Sequence, residues 1–260
     1  MIPSRRLVVA SLLIGLVCGA TGAQARDWTT IRIGVDATYK PFTYKTADGQ
    51  LAGFDVDIAK ALCAEMKAKC SFVESSWEGI IPGLRANKFD AIISSMSITD
   101  ERKKAVDFSD KYYQTPTAVI AKIGSIDGST ASLKGKRIGV LKASIQETYA
   151  KAVLKESSVV SYDSTQQSYV DLKSGRLDAV VVDKFEGRGG FIETPDGKGY
   201  AFVGPDLTDP KYFGTGAGIA IRKSDADLRD RFNAALKTIR ANGTWKKLAD
   251  KYFDFDIYGS

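Results

Sequence analysis

The stretch SSMSITDERKK, Ser94 to Lys104, holds three serines and then an arginine five residues past the last of them. Clustered serines can supply a nucleophile, or they can serve as hydrogen-bond donors and acceptors. A nucleophilic serine needs a base. The chain has no histidine at all, which removes Ser-His-Asp and Cys-His arrangements, histidine zinc sites and the commonest general base. No metal or cofactor is expected. Arg102 is the more specific feature. Thr99 caps a charged helix and places Arg102 in its first turn. A cation there costs about 0.3–1 kcal/mol, because a helix N-terminus already carries partial positive charge. A carboxylate reverses the sign, since arginine grips it through a bidentate fork and nearby N–H groups add donors. The competing reading is a solvated arginine beside Lys103 and Lys104.

Other candidates sit at strand ends and helix starts. Asp36 ends the strand IRIGV, and Asp183 ends AVVV. Ser94, Ser95, Met96 and Ser97 follow DAII; Ser144, Ile145 and Gln146 lie where RIGVL, ending at Leu141, feeds a helix. Each polar residue among them can equally be a local cap. Tyr39 and Trp77 either pack in a core or present flat faces to a ligand stem. One cation, Arg102, then stands against two anions, Asp36 and Asp183. Unpaired buried charge is costly, so a matching ligand carries one carboxylate and two cationic groups. Lysine, ornithine and arginine fit; glutamate does not; glutamine leaves Asp36 with only an amide donor.

The elements that must position these residues come in a repeating order. IRIGV reads as a strand, followed by a turn with Pro41 and Asp48-Gly49. GFDVDIAKALCAEM has helical spacing, CSFVES is a strand, and WEGIIPGLRANK is a helix from Glu78 with Pro82 near its start. FDAIISS is a buried strand. After Lys134 the order strand, helix, strand, helix, strand begins again and ends at Asp183. KYYQTPTAVIAK and KYFGTGAGIAIRK read as extended crossings, and two helices close the chain. The fold class is α/β: two lobes, residues 26–114 plus 217–260 and residues 118–208, joined by crossings near 114–118 and 208–217. Sites in such sheets lie outside the carboxyl ends of the strands, so a cleft is expected between the lobes.

The first 25 residues stand apart from this pattern. A basic start, an apolar run too short for a comfortable membrane span, and Ala23-Gln24-Ala25 read as a signal peptide cleaved after Ala25. Ser4-Arg5-Arg6 leaves a twin-arginine export route open. An exported chain meets an oxidising compartment, so Cys63 and Cys70 are expected to pair, worth about 2.5 kcal/mol in the loop-entropy picture. The net charge of +6 is spread among acids rather than blocked, which argues against a nucleic-acid partner.

IRIGVDATYKPF, GFDVDIAKALC, the Cys63/Cys70 pair, DAIISSMSITDERKK, LKGKRIGVL and KYFDFDIYG together resemble the periplasmic solute-binding proteins of family 3. These serve polar-amino-acid ABC importers, and the likeness is closest to the lysine/arginine/ornithine- and histidine-binding group. It spans the mature chain. The resemblance implies the type II periplasmic-binding-protein fold, a monomer in the periplasm, an amino acid trapped between lobes, and membrane permease subunits as partners. It implies Arg102 on the α-carboxylate and Asp183 on the α-amino group with Ser95 and Ser97. Ser94 and Asp36 would meet the side-chain end, and Tyr39 and Trp77 would flank the stem. Ile145 departs from the pattern, standing where the family usually offers a threonine hydroxyl; its backbone N–H remains a donor. Opine binding, a cyclohexadienyl-dehydratase-like enzyme on the same fold, and a receptor's sensor domain are the alternatives.

Overall fold

The computed structural model describes residues 27–259; the leader, with its expected cleavage site, lies outside them. The first sheet begins with β1 (Thr30–Val35), and a small hairpin layer follows: β2 (Thr38–Tyr39), β3 (Thr43–Lys45) and β4 (Leu51–Ala52). Then come α1 (Phe54–Glu65), β5 (Lys69–Glu74), α2 (Trp77–Arg85), β6 (Ala91–Ile92), α3 (Asp100–Ala105) and β7 (Asp107–Tyr113). The second sheet opens with β8 (Thr117–Lys122). It continues through α4 (Thr130–Leu133), β9 (Arg137–Leu141), α5 (Ile145–Val153), β10 (Ser158–Tyr162), α6 (Thr165–Lys173), β11 (Ala179–Asp183), α7 (Lys184–Gly187) and β12 (Tyr200–Leu207). After α8 (Pro210–Phe213) the chain returns as β13 (Ala217–Ile221), α9 (Ala226–Ala241) and α10 (Thr244–Ala249).

The two sheets share one topology. Their orders are β5-β1-β6-β13-β7 and β10-β9-β11-β8-β12. In each, three parallel strands are followed by an antiparallel strand in fourth place, β13 or β8. Those two strands are the ones that follow the crossings, so each lobe is completed by chain arriving from the other.

Both sheets are buried on both faces, and the period-2 alternation shows it. Along β11, Ala179 and Val181 join one apolar cluster while Val180 and Val182 join another. Along β13, Ile219 and Ile221 face one cluster and Ala220 the other. Gly34 in β1 is required by this packing: a Cβ there would lie 2.5 Å from the Phe89 ring. In the return crossing Gly214 has φ 72°, and a Cβ would lie 2.1 Å from the Ile98 carbonyl oxygen, so only glycine passes.

Several details differ from the sequence reading. The turn after Asp36 is the three-stranded layer β2–β4. α2 starts at Trp77 rather than Glu78, and Pro82 is its sixth residue, in the second turn. The Gly-rich return contains a short helix, α8, before β13. β12 was not foreseen. Cys63 and Cys70 are bonded, tying the end of α1 to the start of β5. Among the described residues, no helix is long and apolar enough to cross a membrane.

Candidate ligand-binding site

A cavity of about 250 Å³ lies where the carboxyl ends of both sheets face each other. That is near the small end of pockets for small molecules, about 300–1,000 Å³. It is lined by Asp36, Tyr39, Trp77, Ser94, Ser95, Ser97 and Arg102 from the first sheet's side. Leu141, Ser144, Ile145, Gln146 and Asp183 line it from the second. Twelve of the thirteen residues singled out from the sequence therefore meet at one place. Met96 is the correction. Its side chain is 1% exposed and packs with Ile92, Ile98 and Phe108 in the core. The chain bends here, with Ser95 at φ 54°, so that Ser94, Ser95 and Ser97 line the cavity while Met96 is left in the core.

Each charged group is placed by a short run of backbone. Thr99 caps α3, its hydroxyl accepting the Arg102 amide at 3.3 Å. The Arg102 guanidinium folds back toward the cavity. Nη1 donates to the Ser97 carbonyl at 3.0 Å, and the group lies 5.2 Å over the Trp77 ring. Among the described residues Arg102 makes no ion pair, and desolvation pulls it down to about 10. Asp36 is buried at the end of β1. Its amide donates to Ser94 Oγ at 2.9 Å, and the Thr38 hydroxyl and amide donate to its Oδ1 at 2.6 and 3.0 Å. Burial nonetheless raises its carboxyl above the ordinary value.

Asp183 is a helix cap that also lines the cavity. Oδ1 caps α7, accepting the amides of Phe185 at 2.9 Å and Glu186 at 3.1 Å. Oδ2 takes the hydroxyl of Thr115 in the first crossing. Burial raises this carboxyl to about 6 against those donors. On the same side, Ser144 caps α5 by accepting the Glu147 amide at 3.0 Å. That leaves the Ile145 and Gln146 amides as first-turn N–H groups without intrahelical acceptors.

The crossings contribute more than the sequence reading assigned to them. Tyr113, Gln114, Thr115, Pro116 and Thr117 line the cavity, as do Thr208, Phe213, Gly214, Gly216 and Ala217. The signal was present: two segments that join facing lobes must run along the floor of the cleft. Glu186 was also missed. It is fully buried behind Asp183, takes the hydroxyls of Thr165 at 2.8 Å and Tyr169 at 2.5 Å, and is raised to about 8 by burial.

The lobes touch around the cavity. Trp77 Nε1 donates to the Ala143 carbonyl at 3.3 Å, Lys142 pairs with Glu78 at 3.0 Å, and Gln166 donates to the Thr38 carbonyl at 2.8 Å. Phe185 stacks on Phe255 with ring centroids 4.4 Å apart. No group of acids or cysteines among the described residues is arranged to hold a metal ion.

Residues 31–255 match the family model described as bacterial extracellular solute-binding proteins, family 3. The chain is 56% identical over 233 residues to an L-arginine-binding protein of Pseudomonas aeruginosa, covering 88% of this chain and 90% of the relative. It is 45% identical over 258 residues to the lysine/arginine/ornithine-binding periplasmic protein of Escherichia coli K12, covering 98% and 99%. Among solved structures, it is similar to a Salmonella typhimurium periplasmic binding protein described for high arginine specificity. There the TM-score is 0.81 at 36% identity, over 86% of this chain and 99% of that one.

Proposed function

The chain belongs to the bacterial extracellular solute-binding proteins, family 3, and we propose that it traps a basic amino acid between its lobes and delivers it to the permease subunits of an ABC importer. Arginine, lysine and ornithine are the ligands, with histidine in the same set. One observation carries this reading. A guanidinium with no ion-pair partner among the described residues and two buried carboxylates raised above their ordinary values share one small cavity. A zwitterion with a cationic side chain satisfies all three charges; an acidic ligand worsens the balance.

In this reading Arg102 and the Ile145 amide hold the α-carboxylate, from opposite lobes. Asp183 holds the α-amino group, with Ser95 and Ser97. Asp36 and Ser94 meet the side-chain end, and Tyr39 and Trp77 flank the stem. Residues 26–114 with 217–260 form lobe I, residues 118–208 form lobe II, and the crossings near 114–118 and 208–217 act as the hinge. A ligand that touches both lobes favours the closed form, and only that difference in affinity shifts the equilibrium. The protein works as a monomer in the periplasm after removal of residues 1–25. It is a binder rather than an enzyme: the single carboxylate clamp suits an amino acid and poorly suits a two-carboxylate ring substrate such as prephenate.

Arg102→Ala tests the site. Removing one partner of a buried charged contact costs about 2–5 kcal/mol, so arginine binding should weaken at least ~30-fold. The melting temperature of the ligand-free variant should stay near that of the parent: among the described residues the lost charge has no ion-pair partner, and relief of its desolvation offsets the lost contacts to Ser97 and Trp77. Retained binding with a lowered melting temperature would assign Arg102 a purely structural role.

A further inference from the structure

Ser95 differs from the other serines of its run. Its backbone is left-handed, with φ 54°, a conformation that non-glycine residues seldom take unless their surroundings hold them. The hold comes from behind the cavity. Ser95 Oγ donates to Asp55 Oδ2 at 2.8 Å. Asp55 is fully buried in the first turn of α1, and the Tyr112 hydroxyl donates to its other oxygen at 2.8 Å. Asp55 itself does not line the cavity.

A hydroxyl has one proton and two lone-pair sites. With its proton committed to Asp55, Ser95 has only lone pairs left for the cavity. We infer that Asp55, without touching the ligand, fixes Ser95 as a hydrogen-bond acceptor, so that this part of the cavity takes a ligand N–H and turns away a ligand carboxylate oxygen. Asp55 is thus a positioning residue for specificity. The inference rests on the proposed binding of a basic amino acid and adds a buried residue to it.

The neighbouring hydroxyls make the same division visible. Thr115 gives its proton to Asp183, so it too has only lone pairs left to offer. Ser94 is the reverse case: its oxygen receives the Asp36 amide, which leaves its proton free to donate. Acceptors therefore gather at Asp183, Thr115 and Ser95, while donors gather at Arg102 and the start of α5. A ligand with an ammonium at one end of its backbone and a carboxylate at the other is oriented by that separation alone.

The test is a double-mutant cycle read by arginine affinity, using wild type, Asp55→Asn, Ser95→Ala and the double variant. Each single change should weaken arginine binding about tenfold, the scale of one lost hydrogen bond to a charged group. In the Ser95→Ala background, Asp55→Asn should add less than about twofold, because its effect passes through that hydroxyl. Fully additive losses would place the effect of Asp55 in the packing of α1 and overturn the inference. A second arm does not depend on Asp55→Asn folding. Ser95→Ala should lose about tenfold for arginine but less than about twofold for 5-guanidinopentanoate, which lacks the α-amino group. Equal losses for the two ligands would overturn the inference as well. If the wild-type protein binds no basic amino acid, it is the functional reading that fails, and a wild type that binds while the cycle is additive isolates the failure to Asp55.

Discussion

At the scale of single residues, one side chain can hold the fold and still face the cavity. Asp183 caps α7 with one oxygen, meets the first crossing with the other and lines the cavity, so a cap and the proposed ligand contact do not exclude each other. The sequence could not distinguish them, because both require an acid at the end of a strand. Met96 shows the opposite case: neighbourhood in sequence suggested a contact, but its side chain is buried in the core. Protonation follows from burial. Asp183 and Asp55 stand at about 6 and Glu186 at about 8, all above their unfolded values. Such groups stabilise the ligand-free fold fully at low pH, and that contribution is lost as pH rises through the folded values. Binding runs the other way, since a ligand ammonium favours ionised Asp183. Titrations in two buffers of different ionisation enthalpy should therefore show net proton release on arginine binding at pH 6, smaller at pH 7.5. Proton uptake at pH 6 would contradict this.

At the scale of elements, the strong patterns were legible and the short ones were not. The apolar run at β11 and the Asn242-Gly243 break between α9 and α10 are where the sequence put them. β12 escaped because Gly204 and Pro205 punctuate it, and its pairing with β8 shifts register between Val203 and Leu207. β2 to β4 span two or three residues each, too few for a period to register; Phe42, fully buried between β2 and β3, ties that layer to the core. The disulfide belongs to this scale. It closes a short loop between α1 and β5, and neither cysteine lines the cavity. Replacing both by serine should cost about 2.5 kcal/mol. For a chain of this size that is roughly 5–10 °C in melting temperature. Arginine affinity should be unchanged. A variant that melts normally but binds poorly would put the disulfide in the recognition machinery instead.

At the scale of the whole molecule, the repeat of strand and helix announced two lobes, and the two crossings announced a cleft. What the sequence withheld was the contact between the lobes. Trp77 on Ala143, Lys142 on Glu78, Gln166 on Thr38 and Phe185 on Phe255 join residues 64 to 128 positions apart. No local pattern encodes pairings at that distance. They surround a cavity that sets one cation against two buried acids, with a third lining acid, Asp206, paired to Lys184; on that balance the proposed selection of a basic amino acid rests. The central claim is that charge complementarity, and its test is calorimetric titration of ligand-stripped protein with arginine, lysine, ornithine, histidine and glutamate. The basic amino acids should bind and glutamate should give no heat of binding; heat with glutamate and none with any basic amino acid would contradict the account.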